Sequence, residues 1–340
     1  MGVGSKVIQA AAGAGGGVIY EGGEYLAVAH ATTPYFTLLD HTTPGSLSLA
    51  STYTLAVSVA DGVGFSPDSK YIAATGNAVS DAIYLLNHVS GAVSLAASYT
   101  TLPGAGKSAD FTPDGNYIGC GHQGSPHFTL FDHTTPGSLS VAATYTLTGA
   151  TQRSSISPDG NYFAVCHSVS PYFTLLDHTT PGSLSLAATY TLDSNAGLSA
   201  SFSPDGDYIA VASNSGIGFT LLDHTTPGSL SLAATYDFTN TCKGTAFSPD
   251  GNYIAATPFI AANLTLFDHT TPGSISVATT YPLASRGEQV TFTPDGNYLA
   301  VGSSFDVILL NHDSGSLSLA ATYTTAGGPR HQDFNPATPE

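Results

Sequence analysis

The chain has 340 residues and a net charge of −17, and only 9% of its residues are charged. So acidic a chain is not expected to bind nucleic acid, whose phosphates it would repel, and no apolar run is long enough to insert a helix into a membrane. Its three cysteines, Cys120, Cys166 and Cys242, are odd in number and form no Cys-x-x-Cys pair, which argues against a disulfide framework or a zinc site.

Asp far outnumbers Glu, Trp is absent, and Tyr, Phe, Gly and Pro are frequent. This is the composition of a turn-rich β protein, because Asp, Gly and Pro serve turns while aromatic and β-branched residues serve strands. The cysteines read as small buried thiols.

In chain order, residues 1–17 come first, an N-terminal segment able to pack on the ring of repeats. Its Lys6 and Ala/Gly run are too weakly apolar for a signal-peptide core. From 18 to 328 one unit recurs, opening near 18, 63, 109, 154, 200, 245 and 290. Its marker is Ser-Pro-Asp-Gly at 203–206, with near-copies at 66–69, 112–115, 157–160, 248–251 and 293–296, so the period is 45 or 46 residues. Tyr25, Tyr71, Tyr117, Tyr162, Tyr208, Tyr253 and Tyr298 align across the units.

The fifth unit serves as the pattern. Residues 198–203 predict a first strand. Ser-Pro-Asp-Gly predicts a tight turn, with Pro fixing φ at its second position. Residues 208–213, 219–223 and 230–236 predict three more strands, the last two joined by a type II turn at Thr226-Pro227-Gly228-Ser229. Four short antiparallel strands in each of seven units describe an all-β, seven-bladed β-propeller. The third strand, Phe-Thr-Leu-Leu, is apolar on both faces, as a sheet covered on both sides requires. Residues 329–340 read as a closing strand and tail. Both 18–20 and 332–334 fit the innermost strand of one blade, and which of them closes the ring is left open.

The runs Phe-Ser-Pro-Asp-Gly-Asp-Tyr-Ile-Ala-Val (202–211) and Leu-Leu-Asp-His-Thr-Thr-Pro-Gly resemble the YVTN/WD-like propeller repeats, which include lactonase-like propellers. The resemblance spans about 20–325. It implies the propeller fold. It leaves function open, since the architecture hosts enzymes, scaffolds and adhesins. There is no Trp-Asp dipeptide, so the scaffold role of that particular family does not carry over.

Strand order puts the nearly constant turns on one face of the disc. They carry Asp68, Asp114, Asp159, Asp205, Asp250 and Asp295, and the histidines His41, His133, His178, His224 and His269, all expected to shape turns. The histidines sit too far apart around the rim to share an ion at ligand distances of ~2.1 Å. No metal and no cofactor are expected. The other face varies from blade to blade and is expected to bind. Its candidate binding residues are Lys107, Arg153, Lys243, Arg286 and Arg330, assigned to blade-to-blade loops.

Near-identical blades, low charge and the lack of a nucleophile elbow or metalloprotease motif lead to an expected non-enzymatic role. The protein is read as a structural or interaction propeller of a virion or other extracellular assembly, with a cytoplasmic location as the alternative. Its expected partners are other proteins of that assembly or surface glycans. Two rival readings stand beside it. One is a lactonase-like hydrolase acting in the central channel through Arg153, Arg286, Glu288 or Lys243, with His122, His127 and His167 nearby. The other is a glycan-binding adhesin using Tyr35, Tyr172 and Phe259.

Overall fold

The computed structural model describes residues 20–21, 24–77, 82–259, 263–336 and 338–339. Seven four-stranded antiparallel sheets form the blades of a β-propeller. The fifth blade shows the plan: Ala196–Phe202 innermost, then Tyr208–Asn214, Gly218–Asp223 and, at the rim, Ser231–Asp237. The innermost strand runs two residues further back than its pattern predicts.

The first blade departs from consecutive order. Its strands Tyr25–His30, Tyr35–Asp40 and Ser48–Thr54 come from the N-terminal side, and its innermost strand is Pro329–Phe334. The C-terminal segment therefore closes the ring. Asn335 completes the join: its Oδ1 accepts the Tyr25 N–H at 2.7 Å, and its own N–H donates to the Tyr25 carbonyl at 2.9 Å. The first blade thus does not open near 18; Tyr20–Glu21 pairs with Thr338–Pro339 outside the blades. Residues 18 and 19 lie outside the described residues.

Burial follows position within each blade. The second and third strands are buried along almost their whole length, as in Tyr162–His167 and Tyr172–Asp177. Their alternate side chains pack against the two neighbouring blades, so Leu175 contributes to one core cluster and Leu176 to the next. The rim strands alternate between half-buried and exposed. Cys120, Cys166 and Cys242 are buried free thiols.

The repeated turns are hydrogen-bonded units. In Ser-Pro-Asp-Gly, the Gly206 N–H donates to the Ser203 carbonyl at 2.9 Å, and Gly206 has φ of 80°. Ser203 Oγ donates to Asp205 Oδ1 and accepts the Tyr208 N–H at 2.9 Å. The equivalent carboxyls of Asp68, Asp114, Asp159 and Asp250 are raised by partial burial, but hydrogen bonds from the turn outweigh that and hold them below the usual carboxylate range.

The Asp-His turns do more than turn the chain. Each His packs edge to face on the aligned tyrosine of the preceding blade: Tyr25 on His88, Tyr71 on His133, Tyr117 on His178, and so on round to Tyr298 on His41. Ring centroids lie about 5 Å apart, the spacing such pairs favour. The glycine of the same turn lies on that tyrosine too; a Cβ at Gly91 would sit 2.9 Å from the Tyr25 ring, at a φ of 80°. The repeated turn is therefore the joint between blades.

Candidate active site at the channel mouth

The innermost strands line the axial channel, and a bulge shapes its mouth. In five blades the second strand skips one residue of its innermost partner, leaving Asp61, Gln152, Leu198, Lys243 and Arg330 unpaired. A bulge re-aims the extra side chain. Each of these lies five residues before the Ser, or Asn335, that opens the following turn, and Lys107 and Glu288 hold the same position in the other two blades. All seven, together with Arg153, line one cavity of about 120 Å³.

The cavity gathers Lys107, Arg153, Lys243 and Arg330 against Asp61 and Glu288. An excess of two positive charges thus sits inside a chain of net charge −17. Lys107 Nζ pairs with Asp61 at 2.7 Å, and both are mostly buried. Glu288 pairs with Arg286 at 3.1 Å. Burial pushes the Lys243 amine down, helped by Arg330, Arg153 and Arg286 and opposed by Glu288.

Arg153 forms the floor. It stands one residue beyond the bulge, where other blades carry Gly62, Ser108, Ser199, Gly244, Gln289 and His331. Its guanidinium donates to the main-chain carbonyls of Asp61, Lys107 and Arg330, so one side chain ties the fourth blade to the second, third and first. Gln289 spans the opposite side, donating to Ser199 Oγ at 3.3 Å across Gly244. A Cβ at Gly244 would collide with the Gln289 amide at 2.1 Å, so glycine there makes the crossing possible.

Beneath the floor lie Asp110, Asp333 and His331. Burial, with the Asp333 charge, pushes the Asp110 carboxyl up to about 7, although Ser154 and Arg153 oppose this. Burial pushes Asp333 up to about 6 against two main-chain N–H donors. Burial, with Arg153, holds His331 well below its ordinary value, and its Nδ1 accepts the Val63 N–H at 3.0 Å.

The loop placement is corrected for three of the basic residues, while Lys107 and Arg286 do lie between strands. Arg153, Lys243 and Arg330 belong to innermost strands, and Lys107 lies in the loop before the innermost strand Asp110–Phe111. The bulge breaks the period-two pattern that would have revealed those strand starts. Arg286 does not line the cavity and pairs with its residue Glu288. The turn residues Asp159, Asp205 and His224 line a different pocket, with the Ser-Pro-Asp-Gly turns. Asp61, Gln152 and Leu198 escaped the sequence reading; counting five residues back from every turn would have found them.

The other candidates do not meet the cavity. His122 and His167 are buried, each with Nε2 at 2.9 Å from a threonine hydroxyl of the adjacent strand, and His127 opens the strand His127–Asp132. Tyr35 and Tyr172 begin third strands and pack on core clusters. Phe259 lies between two cations, with Lys243 Nζ and Arg286 Cζ each 4.9 Å from its ring centre. Among the described residues, no group of three or more His, Cys, Asp or Glu is placed to hold a metal ion.

No family model and no curated protein matches the sequence. Solved structures do match. A proposed 6-phosphogluconolactonase of Bacteroides fragilis is 16% identical with a TM-score of 0.79, covering 91% of this chain and 97% of its own. A proposed 6-phosphogluconolactonase of Bacteroides uniformis is 14% identical with a TM-score of 0.80, over 91% and 98%. The periplasmic gluconolactonase of Pseudomonas aeruginosa is 15% identical with a TM-score of 0.79, over 93% and 99%. These neighbours, with the convergence of Lys107, Arg153, Lys243 and Arg330 on one cavity, overturn the expected non-enzymatic assembly role and favour its hydrolase rival. At such identity the likeness itself is one of architecture: the chain is a seven-bladed β-propeller with the fold of these lactonases.

Proposed function

We propose that the protein is a lactonase-like hydrolase that opens a sugar lactone in the cavity at the channel mouth. One observation carries the reading: carboxylates and cations drawn from different blades converge in a small, polar, axial cavity. The names of the similar structures point the same way.

Ester hydrolysis needs a base for water and positive charge where the carbonyl oxygen becomes an oxyanion. Glu288 is the base. Its carboxylate lines the cavity and is held by Arg286 at 3.1 Å. It takes a proton as the water oxygen bonds to the lactone carbonyl carbon. Lys243 and Arg330 face the developing oxyanion. When the tetrahedral carbon collapses, the ring C–O bond breaks and the Glu288 proton passes to the leaving alkoxide. The acid product loses its proton to solvent. Lys107, paired with Asp61, lies on the opposite wall and fits a substrate's own hydroxyl or anionic groups.

The test follows acid release from D-glucono-1,5-lactone and its 6-phosphate above the spontaneous rate. Turnover by the purified protein, lost by about 10²–10³-fold in Glu288→Gln, supports the reading. Rates equal to the spontaneous ones for both lactones refute it.

A further inference from the structure

Phe259 follows the second strand of the sixth blade, Tyr253–Pro258. Its N–H donates to the Thr241 carbonyl at 2.8 Å, which fixes its backbone to the segment leading into Lys243. Its ring meets Lys243 Nζ and Arg286 Cζ, each at 4.9 Å. Arg286 in turn holds Glu288. A single aromatic ring thus joins a cavity lysine of the sixth blade to a cavity carboxylate of the seventh. Phe259 itself does not line the cavity.

Two long side chains in a polar cleft would otherwise sample many rotamers. The ring removes that freedom, and its negative face favours a cation. Lys243 needs the help. Burial, Arg330, Arg153 and Arg286 all act against its charge, and among charged groups Glu288 alone opposes them.

We propose that Phe259 is a positioning residue that holds Lys243 over the cavity as an ammonium and keeps Arg286 on Glu288, so that the site discriminates in favour of anionic substrates. The substrate part rests on the lactonase reading; the positioning part does not.

Phe259→Leu and Phe259→Tyr are compared with the parent protein in two measurements. The first is competitive acetylation with acetic anhydride across pH, read by mass spectrometry, with Lys70 as the exposed reference. In Phe259→Leu, Lys243 acetylates about three- to tenfold faster at neutral pH, while Phe259→Tyr stays close to the parent. The second is steady-state hydrolysis of the two lactones named above. Phe259→Leu raises KM for the phosphorylated lactone by a similar factor, spares the KM of the unphosphorylated one, and lowers kcat on both as Glu288 loses Arg286. Phe259→Tyr restores both.

Unchanged Lys243 reactivity in Phe259→Leu overturns the proposal whatever the lactones show. Equal rises of KM for both lactones overturn the selectivity claim. If the parent hydrolyses neither lactone, the lactonase reading fails, and the acetylation profile alone decides the role of Phe259.

Discussion

Tyr298, in the last blade, meets His41, in the first, edge to face at 5.0 Å between ring centres. The contact closes a circuit that the same pair of residue types makes at every other blade junction. At several of these junctions the histidine is bound on both ring nitrogens. In His88, Nδ1 lies 2.7 Å from the Ser69 carbonyl and Nε2 accepts the Gly91 N–H at 3.2 Å. These partners assign the neutral tautomer with the proton on Nδ1. Protonation of Nε2 would set one donor against another.

The contribution of the buried histidines to stability is therefore expected to fall in mild acid. Burial lowers His88 below its ordinary 6.5 despite its bond to Ser69, lowers His30 likewise, and pushes His167 down to about 4. Groups depressed on folding contribute fully above the unfolded value and lose that contribution as pH falls through the folded one. The thermal midpoint should hold between pH 8 and 7, and these histidines should contribute a decline below about 6.5 that the buried carboxyls of Asp110 and Asp333 oppose. His88→Gln should flatten the decline. An identical pH profile in that variant would remove His88 from the account.

Asp110 and Asp333 act in the opposite sense. Their carboxyls are raised to about 7 and about 6, so their contribution is complete below the unfolded value near 3.8 and is lost as pH rises through the folded values. Asp110→Asn keeps an oxygen to accept the Ser154 hydroxyl and removes the charge. It should stabilise the protein more at pH 8 than at pH 5, the gain vanishing only as pH falls to the unfolded value near 3.8. Urea unfolding at the two pH values measures the difference, and destabilisation at pH 8 would contradict it.

Arg153→Ala removes donors to carbonyls of three blades and opens the cavity floor. Hydrogen bonds from a charged group support a loss of about 2 kcal/mol, partly offset as water enters the channel. The urea midpoint should drop with the slope unchanged, and lactone turnover should disappear. Arg153→Lys, a point charge without the planar fork, should recover less than half of either. Full recovery by lysine would reduce Arg153 to a charge.

Leu175 and Leu186 lie on adjacent strands of the fourth blade with opposite fates: Leu175 is 0% exposed and Leu186 52%. Leu175→Ala should cost about 2–5 kcal/mol through lost burial and a cavity. Leu186→Ala should stay within about 0.5 kcal/mol. Comparable losses in chemical denaturation would mean that the rim is covered in solution.

Most of the fold was legible because each blade repeats the same local choices. Pro and Gly fix the turns at 203–206 and 226–229, and the doubly apolar third strand announces cover on both faces. Those are short-range preferences, and they survive without knowledge of the ring. Which terminus closes it was not legible, since 18–20 and 332–334 carry similar strand patterns and only pairing with Tyr25–His30 distinguishes them.

The site was legible in part. Lys107, Arg153, Lys243, Arg330 and Glu288 stood out as rare charges in a sparsely charged chain, but chain position put them far apart. Their meeting depends on bulges that re-aim side chains and on closure that carries Arg330 beside Asp61 and Arg153. The sequence by itself determined the turns, most of the strands and the repeat number. The tertiary structure decided that each histidine joins two blades and that seven separated positions become one charged ring, because both follow from closing the circle, an interaction between residues hundreds of positions apart that no local preference encodes.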